Sequence, residues 1–498
     1  MDANADSVVT RLAGQPTTVL APSPRTTRRG FRLNDSERKL LLAVVDIAII
    51  NAALIVSWLL GLKEPVTLQN LVDPYKWYVT LTLVWLASAF LFDVYNLTRS
   101  ANTILTLRNS GLAALVTVLV YTLIPWLTPP LQNRAFILLF AILTTAGIVV
   151  WRVTYAELFV QSQFRRRALI VGAGWAGRTL VDALRAVPDD ANAFQGTGYD
   201  LVGFVDDNPD YVDSRICNVP VLGGREVLLP LAEALAVDEI ILAITHRHAI
   251  NDDLFDALLR CREMGIRIST MSSVYERVTG RVPVQHAGRD LYTTMPMEGT
   301  PAERLYGALK RLVDLGCSLA GLGVLAIVAP AIMIGNHFTS PGPLFYRQQR
   351  VGRGGRDFEI YKFRSMVPNA EAQTGAVWAA SNDNRITPMG RFLRKTRLDE
   401  LPQFINILRG EMSLIGPRPE RPEFVEELAH TIPFYRARHA VRPGLTGWAQ
   451  VQYRYGSSHD DARIKLEYDL YYVKQVSILL DLRILLSTIQ VMVQFKGQ

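Results

Sequence analysis

Four apolar runs, at about residues 41–62, 75–92, 104–127 and 134–153, constrain this chain more than any other feature. Each approaches the ~20 residues an α-helix needs to cross the hydrocarbon core of a bilayer, where every backbone polar group must be paired within its own segment. The second run is the shortest, and Pro125 trims the third. Trp58, Trp77, Trp85, Trp126 and Trp151 fall towards the run ends, as interfacial anchors do. Basic residues precede the first run (Arg25, Arg28, Arg29, Arg32, Arg38, Lys39), separate the second from the third (Arg99, Arg108) and follow the fourth (Arg152, Arg165, Arg166, Arg167). The other loops hold only Lys63, Lys76 and Arg134. The positive-inside rule therefore puts the N-terminus and everything after residue 153 in the cytoplasm. A soluble all-helical core is the competing reading.

Composition points the same way. Of 498 residues, 49% are hydrophobic, the formal net charge is +7 and the mean hydropathy is +0.15. That fits a polytopic membrane protein with basic cytoplasmic parts; no nucleic-acid motif accompanies the charge, so nucleic acid is not expected as a partner. Cys217, Cys261 and Cys317 match no metal or redox spacing and read as reduced structural thiols. The expected divisions are a disordered, Thr-, Pro-, Ala- and Arg-rich N-terminus (1–36), a four-helix transmembrane region (37–160), an α/β module (161–300) and a C-terminal domain (301–498).

A fifth apolar stretch runs from Leu315 to about Ile334. Pro330 interrupts it, and both flanks are basic: Arg304, Lys310 and Arg311 before, Arg347, Arg350, Arg353 and Arg356 after. A crossing helix should be basic on one side only. A re-entrant helix, over about 307–337, that enters and leaves by one leaflet should be basic on both, and this is the favoured reading.

In the middle module, Ala168-Leu169-Ile170-Val171 reads as a buried strand, and Gly172, Gly174 and Gly177 form a GxGxxG turn into a helix. Strands around 201–205, 238–244 and 266–268, with a helix around 251–264, give the alternation of a parallel, Rossmann-like sheet. Asp206 lies farther from the glycines than the ~20 residues usual for a ribose-binding acid, and no Tyr-x-x-x-Lys dyad follows. Two readings stay open: a tight structural turn, or a site for NAD or another nucleotide.

The C-terminal domain carries the chemistry. Asp399 and Glu400 sit among Arg391, Arg394, Lys395 and Arg397, with Arg418 in Gly416-Pro417-Arg418-Pro419 soon after. Adjacent carboxylates inside a cationic cluster suit a substrate with several phosphates. If 358–366 is a strand, Lys362 and Arg364 share a face and meet one phosphate. Asp399 reads as a helix N-cap, with Glu400 and Pro402 in the first turn and Gly410 as the stop. There Asp399 is placed to attack phosphorus, and Glu400 to hold Mg²⁺. Plain helix capping is the bland alternative. The apolar segment Ile478 to Val493, which carries Asp481 and Arg483, reads equally as an interfacial or a core helix.

The segments Tyr361-Lys362-Phe363-Arg364-Ser365-Met366, Leu398-Asp399-Glu400-Leu401-Pro402-Gln403, Gly410 to Glu420 and Arg442-Pro443-Gly444-Leu445-Thr446-Gly447-Trp448-Ala449-Gln450-Val451 resemble the bacterial sugar transferase family, the monotopic polyprenyl-phosphate phosphoglycosyl transferases. The layout is similar to its long-form members, most of all the undecaprenyl-phosphate glucose phosphotransferases of exopolysaccharide synthesis. The resemblance implies a cytoplasm-facing α/β transferase domain with a re-entrant helix, in a bacterial inner-membrane protein. It implies a UDP-sugar donor, undecaprenyl phosphate as acceptor, a covalent sugar-phosphate adduct on Asp399, release of UMP and an Mg²⁺ placed with Glu400. Arg394 and Arg418 match phosphate-binding positions, and Pro330 matches the proline that bends the helix. Arg397 departs from the pattern, standing where Ser is common. Downstream glycosyltransferases are the implied partners, and a homodimer through the middle module is left open. An NAD-dependent sugar-nucleotide epimerase or dehydratase is the second hypothesis and a nucleotide-sensing membrane scaffold the third. The second lacks a visible catalytic dyad and gives the C-terminal motifs no job.

Overall fold

The computed structural model describes residues 35–60, 75–92, 94–95, 103–123, 134–159, 166–186, 199–245, 250–286, 301–368, 370, 385–453 and 458–493; all but the last two residues of the N-terminal segment 1–36 lie outside them. The chain forms two compact units, meeting in sequence between Val274 and Tyr275.

The first unit opens with four helices at the four apolar runs: α1 (Asp35–Leu59), α2 (Tyr75–Leu91), α3 (Thr103–Thr122) and α4 (Arg134–Phe159). Ile50, Leu54, Leu81, Trp85, Tyr121, Phe140 and Ile148 pack into their common core. Among the described residues, the stretches Lys39–Leu59 and Ala135–Tyr155 are long and apolar enough to cross a membrane. Helix α2 has only 17 residues, and α3 carries Arg108 and Asn109. Inside the cluster, Arg152 of α4 pairs with Asp46 of α1 at 2.5 Å, both almost wholly buried, so the first and last helices are tied by charge as well as by packing.

The rest of this unit is the expected parallel sheet. Strands β1 (Arg166–Val171), β2 (Tyr199–Val205), β5 (Glu239–Leu242) and β6 (Arg267–Thr270) lie in the order β2-β1-β5-β6, all parallel. Between β2 and β5 in sequence comes a small antiparallel pair, β3 (Arg215–Ile216) with β4 (Val219–Pro220). Helices α5 (Trp175–Arg185), α6 (Leu228–Ala234) and α7 (Asp252–Glu263) alternate with the strands, and Leu169, Val171, Leu231, Ile240, Leu254 and Leu258 share the core. The three thiols are free.

The second compact unit begins at Tyr275, so the described residues just after it pack with the C-terminal domain. Glu276 pairs with Lys474 at 2.8 Å, the Gly280 carbonyl accepts the Trp448 indole N–H at 2.9 Å, and Val282 and Val284 are buried with Leu428, Leu466 and Leu470.

A 39-residue helix, α8 (Pro301–Thr339), dominates this unit and contains a third stretch apolar enough to span, Arg304–Thr339. The helix runs unbroken through Pro330, against the expected break. Leu325 and Ile332 on either side are buried with Phe363 and Leu393, and that packing outweighs the one donor the ring removes. The opposite face leaves Leu312, Leu319, Ile327, Ile334 and Phe338 exposed. Near the start of α8, Tyr306 and Lys310 each reach Asp481 at 2.6 Å, and Tyr472 donates to the other Asp481 oxygen at 2.8 Å. Asp481 lies on α9 (Ile478–Val493), which buries Ile484 and exposes Leu479 and Ile489, so α9 serves the core with one face and shows apolar surface on the other. A hairpin of β7 (Phe345–Val351) and β8 (Asp357–Phe363) follows α8.

Candidate active site

The site grows from one sharp change of backbone. Helix α10 (Pro388–Thr396) starts with the Thr387 hydroxyl accepting the Gly390 N–H at 3.0 Å and Pro388 in the first position. It ends at Arg397, whose φ of 60° is left-handed. A 3₁₀ turn over Leu398–Gln403 leads into the short helix α11 (Phe404–Arg409), which Gly410 stops at φ 82°. Arg397, and not Asp399, therefore occupies the helix-entry position, and neither carboxylate caps a helix. Leu398 and Leu401 pack against the cluster of Leu325, Ile332, Phe363 and Leu393, which draws the intervening acids inward. Asp399 and Glu400 are each 8% exposed. Asn406 sutures this turn to the hairpin: its Oδ1 accepts the Tyr361 N–H at 3.1 Å and its Nδ2 donates to the Glu359 carbonyl at 2.6 Å. Lys362 is thereby held beside the acids.

The two carboxylates have opposite electrostatic fates. Glu400 Oε1 accepts from Arg418 Nη2 at 2.9 Å and from Lys362 Nζ at 3.4 Å, and Arg397 Nη1 lies 3.9 Å from Oε2. Burial pushes the Glu400 carboxyl up, but Arg418, Lys362 and Arg397 together hold it well below the usual carboxylate range. Asp399, among the described residues, has no hydrogen bond or ion pair. Its pKa is raised, first by burial and then by the Glu400 charge, against the pull of Lys362, Arg394 and Arg418. The result is one locked anion beside one high-energy carboxylate with its oxygens uncommitted, which is what a nucleophile towards a phosphate ester requires.

Arg418 is aimed by two loops packed backbone to backbone. Gly444 N–H donates to the Pro417 carbonyl at 2.9 Å and Gly416 N–H to the Thr446 carbonyl at 2.9 Å. A Cβ on Gly444 would stand 2.0 Å from Gly416 N, so only glycine permits the approach. Arg350 Nη1 donates to the Pro419 carbonyl at 3.1 Å and Arg438 Nη2 to the Arg418 carbonyl at 2.9 Å. Sequence reading missed Arg438, Arg350 and Asn406 as parts of this site; nothing in their spacing marks them, because their partners are backbone atoms remote in sequence.

Of the expected residues, the structure brings Lys362, Asp399, Glu400 and Arg418 together. Arg394, whose Nε donates to Ser365 Oγ at 3.0 Å, adds its field at Asp399. Arg364 does not join them. It is 6% exposed, donating to the Pro343 carbonyl at 2.8 Å, to Ser340 Oγ at 2.9 Å and to the Ser340 carbonyl. Strand β8 ends at Phe363, so the alternation that would give Arg364 the face of Lys362 has already lapsed. Pro330 belongs to α8 and its packing, described above.

In the first unit, Gly172 has φ +105° and Gly177 packs on the Gly172 carbonyl, so both glycines are required by the turn itself; a Cβ on Gly174 would meet nothing within 4 Å. Asp206 follows β2 directly, and its Oδ2 accepts the Ala173 N–H at 2.6 Å. A carboxylate thus already occupies a turn amide that would face a cofactor phosphate, and a pyrophosphate fits poorly beside that charge. For Mg²⁺ the fit is better. No group of three or more His, Cys, Asp or Glu side chains occurs among the described residues. Yet Mg²⁺ needs only one or two carboxylates when phosphates and water supply the rest, and Asp399 and Glu400 offer two.

Buried paired carboxylates ringed by cations, on an α/β unit bearing a long apolar helix, define a membrane-associated domain suited to phosphate-ester chemistry. Residues 305–495 match the family model described as bacterial sugar transferase, and residues 90–270 one described as CoA-binding domain. The chain is 31% identical over 414 residues to a UDP-glucose:undecaprenyl-phosphate glucose-1-phosphate transferase of Klebsiella pneumoniae, covering 80% of this chain and 82% of that one. It is 33% identical over 320 residues to the enzyme of the same name from Xanthomonas campestris pv. campestris, covering 63% and 61%. It is 44% identical over 236 residues to a UDP-N-acetylgalactosamine-undecaprenyl-phosphate N-acetylgalactosaminephosphotransferase of Aeromonas hydrophila, covering 47% and 54%. The chain thus spans between half and two thirds of the Aeromonas and Xanthomonas proteins. It belongs to the bacterial sugar transferase family.

Proposed function

We propose that this protein transfers a hexose 1-phosphate, glucose first, from a UDP-sugar to undecaprenyl phosphate at the cytoplasmic face of a bacterial inner membrane, and so starts exopolysaccharide or capsule synthesis. The observation that carries the chemistry is the uncommitted, buried Asp399 carboxylate beside a Glu400 locked by Arg418 and Lys362. An Asp399 oxygen attacks the sugar-bearing phosphorus; the phosphorus–oxygen bond to UMP breaks, and UMP leaves with the electron pair. An oxygen of the lipid phosphate then attacks the aspartyl phosphosugar, and the carboxylate departs unchanged. Lys362, Arg394 and Arg418 bind the diphosphate oxygens and stabilise charge as it develops. Mg²⁺, held by Asp399 and Glu400 with substrate oxygens, would screen the donor's charge.

In this reading the four N-terminal helices all span. The exposed apolar face of α8 and that of α9 lie in the inner leaflet, so that one site reaches a lipid and a nucleotide. The Klebsiella and Xanthomonas names favour glucose, and the higher identity to the Aeromonas protein makes N-acetylgalactosamine the second choice. Purified protein should release UMP, and form labelled lipid, from one of UDP-glucose, UDP-galactose or UDP-N-acetylgalactosamine when undecaprenyl phosphate is present. UMP released from none of the three would sink the reading.

A further inference from the structure

Arg438 is buried behind the site and has no substrate to touch. Its side chain is 5% exposed and that of its partner Asp469 2%. One terminal nitrogen, Nη2, donates both to Asp469 Oδ2 at 2.7 Å and to the Arg418 carbonyl at 2.9 Å; the other, Nη1, donates to the Tyr435 hydroxyl at 2.8 Å. A buried ion pair is a poor device for stability alone, because well-packed apolar side chains do as well or better in its place. What an apolar pair cannot do is hold a carbonyl at a fixed point. From the other strand of contacts, Arg350 holds the next carbonyl, that of Pro419. Two consecutive carbonyls gripped by guanidinium groups leave the backbone of Arg418 no freedom to swing.

We propose that the Arg438–Asp469 pair is a positioning device for phosphoryl transfer: it fixes the Arg418 carbonyl and thereby keeps the Arg418 guanidinium on Glu400 Oε1. The inference rests on the transferase reading of the site. Asp469 orients the fork from below, and Tyr435 sets its rotation. A lysine keeps the charge but gathers its three donors on one nitrogen and cannot span the partners that the planar fork reaches through Nη1 and Nη2, so Arg438→Lys separates geometry from charge.

The test is single-turnover UMP release from the UDP-sugar in the full-length, membrane-extracted protein, for Arg438→Lys, Arg418→Lys and the double variant, with melting curves run alongside. Arg438→Lys should slow release at saturating donor by tenfold or more while changing the donor KM by less than threefold. In the Arg418→Lys background the same substitution should cost less than twofold, because the residue acts through Arg418. Tyr435→Phe, which removes one acceptor and keeps the packing, should lower the rate at least threefold, again only when Arg418 is present. It stands in should Arg438→Lys fail to fold. Losses that multiply in the double variants, or a folded Arg438→Lys within twofold of the parent rate, overturn the proposal while leaving the transferase reading intact. A parent protein that releases no UMP overturns that reading instead.

Discussion

Replacing Asp399 by Asn should abolish chemistry and leave the fold at least as stable. The side chain is buried, yet among the described residues it makes no hydrogen bond or ion pair, so the isosteric amide breaks no contact. What the substitution removes is a desolvated charge next to Glu400, partly offset by lost attraction to Lys362, Arg394 and Arg418. The raised pKa shows which side wins: folding disfavours the ionised form. A group whose pKa rises on folding contributes most below its unfolded value, and that contribution is lost as pH climbs through the raised value. Wherever Asp399 is ionised the parent therefore carries that burden, and Asp399→Asn carries none. Single stabilising substitutions commonly gain about 0.5–2 kcal/mol, and the gain here should fall in that range. For a unit of this size that is a rise in Tm of roughly 1–8 °C. Thermal melts without added divalent metal should show the gain at neutral pH and its disappearance on acidification. Mass spectrometry with donor and no lipid should show a sugar-phosphate adduct on the parent only. A variant less stable than the parent by 1 kcal/mol or more would refute the reasoning, since it would mean that the carboxylate has a structural partner.

The acid limb of adduct formation should lie above the ordinary carboxylate range, about 3.9 for Asp, because Asp399 must be ionised to attack and its pKa is raised. The slope should be that of one proton, since Glu400 stays ionised well below that range; a two-proton slope, or a limb below 3.9, counts against the assignment. Arg364→Ala should lower stability by about 2–4 kcal/mol, since it orphans the Ser340 and Pro343 carbonyls, with a donor KM within threefold of the parent. A large rise in KM with an unchanged melting point would return Arg364 to the phosphate site.

Much of this protein could be read from residue order alone. Hydrophobic runs of spanning length became α1 to α4 and α8, and the alternation through 166–270 became a parallel sheet, because both patterns follow from backbone geometry and the period of burial. The motifs around Lys362, Asp399, Glu400 and Arg418 are far apart in sequence, and the structure brings those four side chains together. The failures are as instructive. Arg364 fits the alternation of β8 one residue past its end, and Pro330 fits a helix break in isolation; tertiary contacts decided both.

The sequence by itself determined which segments are apolar, which are α/β, and where carboxylates and cations cluster, because those are properties of short stretches. Only the tertiary structure decided that Glu400 would be locked and Asp399 left uncommitted. That difference depends on where Lys362, Arg397 and Arg418 end up, and Arg418 is placed by Arg438 and Arg350 through backbone carbonyls, which have no signature in the order of residues.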